Sequence, residues 1–339
     1  MKYSIIIPVY NCEKYILDCL ESISMQNINN YEVIIINDGS RDNTEIVIKE
    51  YIKGKKNFKL YTTENKGVSH ARNYGIKKSK GDYILFVDGD DLVTTNYLST
   101  IDNLVDTIKN FDLIQTQLYE FYDLKDISFT NEPIKSKKLT KAELAKATGD
   151  LCSGLTRRDN IINPGPVCKI YKSSIIKDNN IKFNEDFSVF EDGIFNVEYL
   201  IHCKNVYLNN QIMYLYRRSN SSSATHKFDN KFLDKRLIMI NYVNSIVEKN
   251  KLTSDYYYRF CIESLLSIYH YYLFNNDNKM KSKKLLKDIK NIECFKDAIC
   301  NKKIVSSLMF KKKLIVCLTK LNCYFLLNIL YKIKYKLNK

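Results

Sequence analysis

Tyr83-Ile84-Leu85-Phe86-Val87-Asp88-Gly89-Asp90-Asp91 is an apolar run that ends abruptly in three carboxylates. Its first five residues read as a short strand buried on both faces. Three carboxylates within four residues repel one another, so a fold that converges them needs a counter-charge, and a hard divalent cation supplies it. Mg²⁺ or Mn²⁺ takes one or two carboxylates, water and the oxygens of a substrate diphosphate, which makes Asp88, Asp90 and Asp91 candidate metal ligands. For an isolated Asp-Gly-Asp-Asp the ordinary reading is a solvated turn with Asp91 capping a helix. The position at a strand's carboxyl end favours the metal, because ligands of open α/β sheets bind along that edge.

The segments before it repeat the same alternation. Tyr3–Val9 is a continuous apolar strand, and Asn11 is placed to cap a helix carrying Ile16, Leu17, Leu20 and Ile23 on one face. Glu32–Ile36 ends in Asn37-Asp38-Gly39-Ser40, followed by a helix with Ile46, Ile48 and Ile52. Phe58–Thr62 leads through Gly67 to a helix around Val68–Lys78. Alternating strands and amphipathic helices predict an α/β fold, an open, mainly parallel sheet flanked by helices. A helix near Thr94–Ile108 and a strand near Leu113–Leu118 follow; then Ser128–Leu139 reads as a polar excursion and Thr140 as the cap of a short helix over Lys141–Ala147. Beyond the Gly165-Pro166 turn come Val167–Tyr171, a helix from Glu191, and two short strands near Val206–Leu208 and Met213–Tyr216. From about Asp229 the pattern is helical throughout, so the expected division is a catalytic domain over 1–228 and a mostly α-helical, strongly basic region over 229–339.

A second carboxylate pair, Glu191-Asp192, opens a segment with Ile194, Phe195, Val197, Tyr199 and Leu200 at helical spacing. The helix dipole alone explains acidic residues in a first turn. The pair becomes a general-base candidate if the fold sets it opposite the metal site.

Taken together, four segments resemble the family 2 inverting glycosyltransferases with a GT-A fold: Ser4-Ile5-Ile6-Ile7-Pro8-Val9-Tyr10-Asn11; Ile36-Asn37-Asp38-Gly39-Ser40 with Asp42 and Thr44; Gly67-Val68-Ser69-His70-Ala71-Arg72-Asn73-Tyr74-Gly75; and Phe86-Val87-Asp88-Gly89-Asp90-Asp91. The resemblance is dense over residues 3–100 and looser through Glu191-Asp192 to about Ser223. It implies transfer of a sugar from a nucleotide sugar, a UDP-sugar in the first instance, to a hydroxyl of a glycan or lipid-linked glycan in surface-polysaccharide synthesis. It further implies that Asp38 contacts the nucleotide base beside Pro8 and Tyr10, that Arg72 helps enclose the nucleotide, that Asp88 lies near the ribose and donor, and that Asp90 holds the metal with Asp91 in support. Asp192 is then the expected base ahead of Glu191. Arg217, in Arg217-Arg218 before Ser221-Ser222-Ser223, is expected at the diphosphate, and His226 as a third metal ligand. Lys169 also resembles a family feature, with a solvated surface lysine as its ordinary reading. The chain departs from the commonest family pattern at Asn37 and at Gly89.

Composition narrows the partners. Of 339 residues, 45% are apolar, enough for a sizeable core. Ten cysteines lie scattered with no Cys-x-x-Cys pair, which reads as reduced and buried rather than disulfide-bonded. The first segment turns polar after about seven residues, too soon for a secretory leader, and the expected compartment is the cytoplasm. The net charge of +15 is a tail property, since ten lysines and no acidic residue occur from Lys302 onward. Lysines interleaved with Leu, Ile, Phe and Tyr suit an anionic membrane surface at the inner face of the plasma membrane, or packing on a second subunit, better than nucleic acid. A dinucleotide oxidoreductase is disfavoured because no Gly-x-Gly-x-x-Gly follows the first strand. A sugar nucleotidyltransferase lacks its glycine-rich, basic phosphate loop, and a nucleic-acid-binding protein has only the charge in its favour.

Overall fold

A computed structural model describes residues 1–154, 161–187, 189–218, 230–274 and 283–337. The chain divides into two compact units, residues 1–148 with 162–223, and residues 149–161 with 224–339. The first contains β1 (Tyr3–Val9), α1 (Ile16–Ser24), β2 (Tyr31–Asn37), α2 (Thr44–Tyr51), β3 (Phe58–Thr62), α3 (Val68–Lys78), β4 (Tyr83–Phe86), β5 (Leu92–Val93), α4 (Tyr97–Ile108), β6 (Leu113–Phe121), β7 (Ser136–Lys138), most of α5 (Lys141–Cys152), β8 (Lys169–Lys172), α6 (Ser173–Asp178), α7 (Glu191–Ile201) and β9 (Val206–Arg217). Its sheet runs in the order β3-β2-β1-β4-β8-β6-β9-β5, with β7 also on β9. The β3-β2-β1-β4 half is parallel, β8 is antiparallel to β4 and β6, and β6 and β9 run parallel.

The wholly buried β1 explains how a proline sits inside a central strand. Along β1, Val9 uses its carbonyl towards β2, accepting from Asp38, whereas Ile6 uses its carbonyl towards β4, accepting from Val87. Even-numbered residues therefore address β4, whose pairing with β1 ends at Ile6 and Phe86. Pro8 lies beyond that end, where no ladder donor is required. One face of the sheet packs Tyr3, Ile5, Ile7 and Val9 against Ile16, Cys19, Leu20 and Ile23 of α1, and the other packs Ile34 and Ile36 against Ala71 of α3.

Two local expectations are corrected. Asn11 does not cap α1, which begins only at Ile16; it takes a left-handed φ of 50° and its Oδ1 accepts from Arg41 N–H at 2.8 Å. With Cys12 N–H on Thr44 Oγ1 and Glu13 N–H on Asp42 Oδ2, this fastens the loop after β1 to the loop after β2. The two short strands expected near 206 and 213 are one strand, β9. Its polar middle, Asn209-Asn210-Gln211, reads as a turn in sequence, but the three side chains donate to the carbonyls of Lys135, Pro133 and Glu132 and stitch the 132–138 segment to the strand. Thr140 does cap α5, in a reciprocal pair with Glu143.

The second unit contains α8 (Phe232–Lys249), α9 (Ser254–Ile268), α10 (Lys283–Lys290), α11 (Glu293–Cys300), α12 (Lys302–Ser306), α13 (Phe310–Lys320) and α14 (Tyr324–Leu337), with a π-helical turn over residues 269–273. Phe260, Leu265, Ile268 and Tyr269 are buried there, and Phe274 stacks on Tyr331 at 4.9 Å. No helix among the described residues is long and apolar enough to cross a membrane.

Candidate active site

The site lies at the carboxyl ends of β1, β2 and β4, with α7 closing it. Gly89 permits the loop after β4: a Cβ there meets Val9 Cγ1 at 2.6 Å, so the departure from the commoner family pattern lets the loop lie against the end of β1. Gly39 is required twice over, by a φ of 67° and by Asn65 N standing 2.8 Å from where a Cβ falls.

Arg72, projecting from α3 and almost wholly buried, spans the site. Its Nη2 lies 3.0 Å from Asp88 Oδ1 and its Nη1 2.7 Å from Asp192 Oδ1. The guanidinium also lies over the ring of Phe183, which stacks on Phe195 of α7. One planar fork thus ties the strand-end carboxylate to the carboxylate at the start of α7, residues 104 positions apart in sequence. Asp88 and Asp192 keep 30% and 27% of their side-chain surface, enough for a ligand to reach both.

The start of α7 is shaped by Phe190, at a left-handed φ of 71°, whose ring leaves room only for a glycine at position 193. Burial first, and mutual repulsion second, push Glu191 up to about 7. Burial also raises Asp192, with Asp88 adding to it, while Arg72 and Lys169 hold it down.

The remaining candidates have other first tasks. Asp38 is buried and its two oxygens accept from the amides of Lys66 and Gly67 at 2.9 and 2.8 Å, so it sets the loop before α3. Pro8 is buried in β1, whereas Tyr10, 43% exposed, stands at the strand's open end. Asp91, expected in support of the metal, is a buried strut in this fold: Oδ2 accepts from Tyr214 Oη and Oδ1 from Arg217 N–H, each at 2.7 Å. Arg217, expected at the diphosphate, has its guanidinium between the rings of Tyr15 and Phe121, where it donates to Asp90 O and pairs with Asp18. His226 lies outside the described residues. Sequence reasoning missed Tyr214, which donates to Asp91 and whose hydroxyl accepts from Asp88 N–H. Its trace was one of three tyrosines in β9, a pattern that packed aromatics give equally well.

Residues 4–159 match the family described as Glycosyl transferase family 2. The chain carries a family 2 glycosyltransferase domain. It is similar to glycosyltransferase GlyG of Streptococcus pneumoniae serotype 4, at 29% identity over 67% of this chain and 74% of that protein. It is also similar to the minor teichoic acid biosynthesis protein GgaB of Bacillus subtilis, at 30% identity over 85% of this chain but only 30% of GgaB. Among solved structures, residues 1–349 of S. aureus TarS in complex with UDP-GlcNAc align over 100% of this chain and 93% of that one, with a TM-score of 0.69 at 18% identity. The fold is thus of the GT-A type, and the protein is a glycosyltransferase.

Proposed function

We propose that this glycosyltransferase moves a sugar from a UDP-sugar to a hydroxyl of a glycan or lipid-linked glycan in surface-polysaccharide synthesis, by one inverting displacement at the inner face of the plasma membrane. The observation that carries the reading is the Arg72 fork, which sets a donor-side carboxylate and a base candidate within one guanidinium of each other. The names of GgaB and of the TarS complex favour a surface polymer and UDP. Asp192 takes the proton of the acceptor hydroxyl as its oxygen forms the new bond to the anomeric carbon and the bond to the diphosphate oxygen breaks. Arg72 holds Oδ1 of Asp192, leaving Oδ2 for the acceptor. Tyr10 offers a wall for the nucleotide base, and Asp38 acts on it through the loop that it fixes.

The residues present fit a divalent cation. Asp88 and Asp90 are hard donors on one partly exposed loop, and such an ion needs only one or two carboxylates when phosphate oxygens and water complete its shell. Among the described residues no cluster of three His, Cys, Asp or Glu stands ready to hold a metal without those oxygens. Bound Mn²⁺ or Mg²⁺ supplies charge neutralisation to the departing diphosphate. The test is a screen of UDP-sugars for donor turnover with and without chelator. Chelation suppresses turnover and added Mn²⁺ restores it, while Asp90→Ala abolishes metal-dependent donor binding and turnover. Full turnover in chelator sinks the metal assignment, and no turnover with any UDP-sugar sinks the donor assignment.

The basic tail supports the membrane placement. Phe310, Leu321 and Phe325 are each more than 70% exposed on α13 and in the segments flanking it, next to exposed Lys311, Lys313 and Lys320. Lys312 is different, pairing with Glu263 at 2.6 Å within the unit. Apolar side chains beside lysines suit the boundary between headgroups and acyl chains. Because Tyr331 and Lys312 are packed into the helical unit, point variants test this better than truncation. Phe310→Ser with Leu321→Ser and Phe325→Ser lowers sedimentation with anionic vesicles at least about tenfold. Unchanged sedimentation, or a concentration-dependent change in oligomer size instead, assigns the surface to a second subunit.

A further inference from the structure

A lysine is buried behind the base candidate. Lys169, at the start of β8, is 2% exposed, and its ammonium donates to the carbonyl of Asn163 at 2.7 Å and to that of Gly165. The same short loop is held from two other sides. Gln115 Oε1 on β6 accepts from Asn163 N–H at 2.7 Å, and Asn196 Nδ2 on α7 donates to Pro164 O at 2.8 Å. Asn196 is itself buried, one helical turn after Asp192, and its Nδ2 also reaches the carbonyl of Asp192 at 2.9 Å while its Oδ1 accepts from Tyr171 Oη at 2.7 Å. The loop ends in Cys168, held at a left-handed φ of 62°. A non-glycine residue there costs free energy and persists only where surrounding contacts impose it. Burying an ammonium is costly as well, and a site that needed only filling is served as well or better by an apolar side chain.

We propose that Lys169 and Asn196 are positioning residues, which hold the 163–168 loop and the first turn of α7 in the arrangement that presents Asp192 to the acceptor. This inference rests on Asp192 being the base. Lys169 fixes the loop from β8, Asn196 transfers that fixation to the main chain of Asp192, and the lysine's positive charge favours the carboxylate form that accepts the proton. Both are buried and act through the loop and the main chain of Asp192. Their contribution therefore falls on the chemical step, and a displacement of about 1 Å at the base costs about 100-fold in rate.

The test uses full-length protein with metal and UDP-sugar. Lys169→Met lowers kcat about 100-fold and Asn196→Ala about tenfold. Both keep donor KM within about twofold of the parent, because the donor-side loop after β4 is anchored elsewhere. Loss of donor affinity in step with kcat, or unchanged kcat in folded protein, overturns the proposal in favour of a packing role. If Lys169→Met does not fold, unchanged kcat in Asn196→Ala overturns it alone. Asp192→Asn run in parallel separates the two readings. Its retained turnover means that the base is elsewhere, whereas its loss beside unaffected Lys169 and Asn196 variants means that only the positioning role fails.

Discussion

Asp192→Asn lowers turnover by about two to four orders of magnitude while donor affinity and the thermal midpoint stay near those of the parent. The amide keeps the shape of the side chain and can still accept from Arg72, but it cannot take a proton. Stopped turnover with unchanged donor binding, measured by calorimetry, is the expected result. The pH profile adds a check with a defined sign. A base works as its carboxylate, so turnover falls as pH falls through the pKa of the Glu191–Asp192 pair. Burial and repulsion raise both residues, Glu191 to about 7, so the acid limb lies above the ordinary carboxylate range. In Asp192→Asn the repulsion is gone and Glu191 titrates lower. A severe loss in Glu191→Gln beside a mild one in Asp192→Asn moves the base to Glu191.

Arg72→Leu affects stability and activity together. It leaves Asp88 and Asp192 facing one another without the cation between them. Breaking a fully buried ion pair costs about 3–5 kcal/mol; with roughly 30% of each carboxylate's surface in water the figure falls to about 2–3 kcal/mol. Asp192, no longer held down by the guanidinium, protonates more readily. The deficit is therefore largest at alkaline pH and shrinks as pH falls and Asp192 becomes neutral. Urea unfolding at two pH values reads that trend. Arg72→Lys restores much of the stability but not the turnover, because a single ammonium cannot hold two carboxylates in the geometry of a planar fork. Equal stability loss at both pH values contradicts the ion-pair account.

The fold was legible because its decisive residues carry short-range signals. The strand β1 announces itself as an unbroken apolar run, and Gly39, Gly67 and Gly89 mark where the backbone must turn or lie close. The helix α7 shows its start through Glu191-Asp192 and its buried face through Ile194, Phe195 and Val197. What could not be read was which partner each polar group takes. Asp38, Asp91 and Arg217 have the residue types that bind nucleotides and metals, and in this fold their side chains also satisfy backbone donors and a neighbouring carboxylate. Those partners are long-range in sequence, Asp91 and Arg217 being 126 positions apart. Asn209-Asn210-Gln211 failed for the same reason: three polar residues in a row look like a turn until the 132–138 segment is there to receive their hydrogen bonds.

The bond that Asp91 receives from residue 217 comes from the main chain, not from the arginine side chain. This anchor is therefore inherited through strand register rather than residue identity. A relative can carry another residue at 217 and keep it, whereas an insertion of one residue within β9 removes it with every neighbouring amino acid intact. Alignments that score identity position by position will pass over it; alignments that penalise gaps in that strand will find it.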